Sequence, residues 1–86
     1  MARFSMRWCG ENRLFEKRPI ESTSVAEARL EIAAAASAFI KGHAAELWID
    51  KVWYVELNDE DEQTLYELKI TAKETEQAMS MGIRPS

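Results

Sequence analysis

Residues Arg3 to Cys9 alternate apolar and polar, with Phe4, Met6 and Trp8 on one side and Arg3, Ser5 and Arg7 on the other. A period of two is the pattern of a half-buried strand. Gly10, Glu11 and Asn12 supply turn chemistry, and Leu14 to Ile20 reads as a returning strand of poorer pattern. Pro19 has no N–H to give to a ladder, so this second strand belongs at a sheet edge or at its end.

Ser24 and Glu27 are spaced as a capping box, in which the hydroxyl accepts from the Glu27 amide and the carboxylate returns to the Ser24 amide. Val25, Ala28, Ile32, Ala35, Ala36 and Phe39 then fall in one helical stripe, and Gly42 stops the helix after Lys41. Alanine gives that stripe little bulk, which predicts close approach to the layer beneath it. Leu47-Trp48-Ile49 and Val52 to Leu57 read as strand, although Ala44, Ala45, Glu46 and Leu47 equally suit another helical turn.

Leu65 to Thr71 is the partner strand, and Asn58-Asp59-Glu60-Asp61-Glu62 is the hairpin turn. Pairing Asn58 with Gln63 sets Trp53 against Leu68, Val55 against Tyr66 and Leu57 against Thr64 on one apolar face. A second capping box, Thr71 to Glu74, opens a short helix that Gly82 ends, with Arg84 and Pro85 as a tail. The expected fold is therefore α+β, ββαββα: an antiparallel sheet of about four strands, one long helix on one face and a short C-terminal helix. At 86 residues the chain, 1–86, is a single domain.

Composition narrows the class. With 47% hydrophobic and 30% charged residues the chain reads as globular, and no apolar run approaches the length of a membrane span. Met1 to Cys9 lacks the apolar block of a secretory leader, and one cysteine forms no internal disulfide, so the expected setting is cytoplasmic. Charge is unevenly spread: residues 1–20 carry five basic and two acidic side chains, whereas residues 46–67 carry eight acids and one lysine. A sequence pI near 5.0 gives no expectation of direct nucleic-acid binding.

Candidate chemistry is sparse. Cys9 and His43 are the only thiol and imidazole, and no signature surrounds either, so no catalytic residue and no enzyme activity is expected. Zinc needs more ligands than these two supply, the acidic turn lacks the glycine and spacing of a calcium loop, and the three glycines stand apart. No metal or cofactor is expected. In the register above, the outer face of the second hairpin presents Val52 by Lys69, Tyr54 by Glu67 and Glu56 by Leu65, with Asp59, Glu60, Asp61 and Glu62 at its tip. Tyr54, Glu56, Asp59, Glu60, Asp61, Glu62 and Glu67 thus form a partner-binding set, an aromatic anchor rimmed by acids that suits a protein with a basic groove. The alternative covers for this patch are the C-terminal helix, through Ala78 and Met79, or a second copy in a homodimer.

The stretches Ser24-Val25-Ala26-Glu27-Ala28-Arg29 and Val55-Glu56-Leu57-Asn58-Asp59-Glu60, in this hairpin, helix, hairpin order, are similar to small uncharacterised bacterial ββαββ domains. The chain also resembles the small acidic phage-type proteins that include anti-CRISPR inhibitors. That resemblance, one of architecture, size and charge, implies a non-enzymatic inhibitor that occludes or imitates nucleic acid on a host complex. The basic first hairpin restricts such imitation to the second hairpin.

Overall fold

The computed structural model describes residues 2–80. Its elements are β1 (Ala2–Cys9), β2 (Leu14–Ser22), α1 (Val25–Gly42), α2 (Ala44–Asp50), β3 (Val52–Asn58), β4 (Thr64–Thr71) and α3 (Glu76–Ser80). The strands form one sheet in the order β2-β1-β3-β4, antiparallel at every junction, and the fold is α+β. β1 is therefore flanked on both sides, and β2, with Pro19, is an edge, the first of the two placements its sequence allowed.

Alternation along β1 buries Phe4, Met6 and Trp8 under α1, whose stripe Ala28, Ile32, Ala35, Ala36 and Phe39 is buried in turn. Val25, expected in that stripe, sits at its margin and is 37% exposed. The small residues of α1 allow the close approach that lets Phe39 stack on Trp8, with ring centroids 4.1 Å apart and planes within 7°. Phe15 stacks on Trp8 at 4.5 Å and Trp53 meets it edge-on at 5.0 Å, so the first hairpin, α1 and β3 share one aromatic cluster.

Ser24 caps α1 as expected, its Oγ accepting from the Glu27 amide at 3.2 Å. The Glu27 carboxylate, however, passes the Ser24 amide and accepts from the Thr23 hydroxyl at 2.6 Å, the Thr23 amide at 3.3 Å and the Ser22 hydroxyl at 3.3 Å. Those donors, the Thr23 hydroxyl foremost, hold its carboxyl below the ordinary value.

Three local expectations are corrected. Leu47-Trp48-Ile49 belongs to α2, not to a strand: only Leu47 is buried, while Trp48 and Ile49 are 37% and 76% exposed. Lys51, left-handed at φ 73, ends α2 with its amide on the Leu47 carbonyl at 2.7 Å. The second hairpin is shifted: a bulge between Leu57 and Asn58 pairs Trp53 with Ile70, Val55 with Leu68, Leu57 with Tyr66 and Asn58 with Thr64. A shift of two keeps the same side chains on the same face. Third, Thr71 is the last ladder residue of β4, and α3 is instead capped by Thr75, whose Oγ1 accepts from the Ala78 amide at 3.3 Å. Gly82, Arg84 and Pro85 lie outside the described residues.

Candidate protein-docking face

α1 and α2 pack on one side of the sheet, so among the described residues the opposite side chains of each strand form a second face that neither of these helices covers. Register lines them up in rows. Lys17 of β2 lies beside Arg7 of β1, Arg7 beside Glu56 of β3, and Glu56 beside Glu67 of β4. The neighbouring row runs Leu14, Cys9, Tyr54, Lys69. The face is thus cationic over the first hairpin and anionic over the second, and Tyr54 sits half-buried near the boundary.

Glu56 and Glu67 oppose each other directly across the β3–β4 ladder, and neither has an ion-pair partner among the described residues. Like charges at directly opposed positions destabilise a strand pair. Burial, followed by the fields of Glu56 and Glu67 and against that of Arg7, pushes the Cys9 thiol up. That raised value favours the neutral thiol, the reverse of an activated nucleophile. His43 stands on the helix side, its ring 5.1 Å from that of Trp8, while Cys9 points to the uncovered face. The sheet separates the two.

The turn of the second hairpin divides its four acids between two roles. Asp59 is half-buried and closes the turn: its Oδ1 accepts from the Asp61 and Gln63 amides, each at 2.9 Å. Glu62 adopts φ 63 and reaches Lys17 of β2 at 3.0 Å, so the tip curls back over the outer side of β1. Arg3, Ser5, Asp59, Glu60 and Glu62 line the open-sided hollow beneath it, and the Ser5 hydroxyl there is shielded from solvent without a hydrogen-bond partner among the described residues. Glu60 and Asp61 remain exposed and without ion pairs among the described residues.

The seven residues singled out in the sequence accordingly separate into Tyr54, Glu56 and Glu67 on the flat face, Glu60 and Asp61 at the tip, and Asp59 and Glu62 engaged within the protomer. Sequence reasoning missed Arg7 and Lys17 as neighbours of the acids. Alternation placed Arg7 on the correct side of β1, but only the sheet order brings β1 next to β3. The C-terminal helix does not bury its large side chain against this face, since Met79 is 55% exposed.

Among the described residues no group of His, Cys, Asp and Glu side chains is placed to hold a metal ion, and no helix is long and apolar enough to cross a membrane. No protein-family model, curated protein or solved structure matches the chain.

Proposed function

We propose that the chain is a non-enzymatic protein-binding domain whose second hairpin engages a basic surface of a partner protein. The observation that carries this reading is the opposed pair Glu56 and Glu67 beside half-buried Tyr54 on the uncovered face. Two facing carboxylates without a cation between them gain from an incoming lysine or arginine, and Tyr54 offers an apolar body with a polar tip to the same visitor. Glu60 and Asp61 add long-range attraction at the tip, which speeds encounter more than it strengthens the final complex.

The narrower form of the proposal makes the partner a nucleic-acid-handling complex and the chain a phage-type inhibitor of it. Similarity of architecture, size and charge supports that form. Capture from lysate tests both, with wild type compared against a variant carrying Glu56→Lys, Glu60→Lys and Asp61→Lys. Wild type should retain a protein that the variant releases, and nucleic acid should compete for the same site. An identical set of captured proteins for both baits would remove the proposal.

A further inference from the structure

We infer that β4 pairs with β4 of a second copy, antiparallel about a twofold axis at Leu68, to join two four-stranded sheets into one of eight strands. β4 is an edge strand whose only ladder among the described residues is the one to β3. It carries no proline, and its helix-side residues Tyr66, Leu68 and Ile70 are only partly covered because α1 packs over β2 and β3. Tyr66 is 38% exposed and meets α1 through the Arg29 guanidinium, 5.3 Å from its ring centre. A long, regular, partly apolar edge is a template for another strand.

The identity of that strand follows from the sequence Thr64-Leu65-Tyr66-Glu67-Leu68-Lys69-Ile70-Thr71, which is complementary to itself in one register. With Leu68 opposite Leu68 of the second copy, each Glu67 faces a Lys69 and each Tyr66 faces an Ile70. The charged pairs lie on the uncovered face and the apolar pairs continue the row under the helices. Centring on Glu67 or on Lys69 instead opposes like charges, centring on Tyr66 sets Leu65 against Glu67, centring on Ile70 leaves Tyr66 and Glu67 without partners inside the strand, and centring between residues sets apolar side chains against charged ones. The favoured register also places a Lys69 beside the Glu67 that faces Glu56, extending the outer row from anion to cation. This is an isologous contact, closed after two copies.

The proposal does not depend on the docking reading: it uses the strand edge and leaves Tyr54, Glu56, Glu60 and Asp61 free on both copies, and Glu67 alone is shared by the two. Sedimentation over a dilution series, with folding checked by circular dichroism, tests it. Wild type should dimerise reversibly. Glu67→Lys, at an exposed position, should raise the dissociation constant about tenfold or more, since both symmetric pairs turn repulsive. Combining Glu67→Lys with Lys69→Glu should restore the dimer, because the swapped charges again face opposites. Amide exchange should slow with concentration in β4 and not in β2. A wild type that stays monomeric throughout, a dimer indifferent to Glu67→Lys, or a folded charge-swapped protein that remains monomeric would each overturn the inference. The docking reading is tested by capture with Glu56→Lys, Glu60→Lys and Asp61→Lys, all outside β4, and the dimer by sedimentation of the purified chain, so failure of one is distinguishable from failure of the other.

Discussion

The two edges of the sheet are built differently. β2 has Pro19 near its middle, a ladder irregularity opposite Trp8 and Cys9, and the cations Lys17 and Arg18, all features that discourage an added strand. Its helix side is also well covered: Phe15 stacks into the aromatic cluster, and Arg18 lies over Phe39 while pairing with Glu16 at 3.3 Å. β4 has no proline and its one cation, Lys69, is matched by Glu67 two residues away, while α1 meets its Tyr66 through Arg29. One edge is finished within the protomer and the other is left ready to pair. The proposed pairing at β4 rests on this contrast as well as on its register.

Truncating one aromatic on each edge gives the largest test of that contrast. Phe15→Ala should cost about 3 kcal/mol of folding stability, since it opens the cluster of Trp8 and Trp53, whereas Tyr66→Ala should cost about 1 kcal/mol in the isolated protomer. Denaturant unfolding at low protein concentration measures both, and equal losses would erase the distinction.

Next in size is Asp50, which secures the β2 hairpin by accepting from Trp53 Nε1 at 2.9 Å and from Arg13 at 3.0 and 3.1 Å. Asp50→Ala strands the indole N–H and should cost about 2 kcal/mol. The Trp53 N–H, and then Arg13, hold this carboxyl below its ordinary value. Its contribution is therefore present above the unfolded-chain value of about 3.9 and is lost as pH falls through the lower folded value. Melting curves in that acid range should show a smaller loss in Asp50→Ala than in wild type, the remainder including the Glu27 contribution. Smallest in stability is Pro19→Thr, expected to change it by less than about 0.5 kcal/mol. It should nonetheless let β2 associate, visible by light scattering as species larger than those of wild type.

The sequence reading recovered elements whose period was unambiguous and lost those settled by distant partners. Phe4, Met6 and Trp8 declare a strand, and Ala28 to Phe39 a helix, without outside help. Leu47-Trp48-Ile49 has no period to read, and its helical state depends on the Lys51 cap and on Asp50 meeting Trp53 and Arg13. Thr71 and Glu74 have capping-box spacing, yet Thr71 is committed to the ladder with Val52, which leaves Thr75 to cap α3. For the docking face, alternation assigned each strand its sides. The row from Lys17 to Glu67 required β1 to lie between β2 and β3, a long-range pairing that no local pattern carries.

That central place of β1 has a consequence during synthesis. β1 and β2 are adjacent in the chain, but the other flank of β1 must wait for Val52–Asn58 to be translated. At ordinary elongation speeds this interval is roughly several seconds. Until then the inner border of β1 has no partner strand and Trp8 lacks Trp53 beside it, and a lone hairpin is only marginally stable in water, so the first two strands gain their full support late.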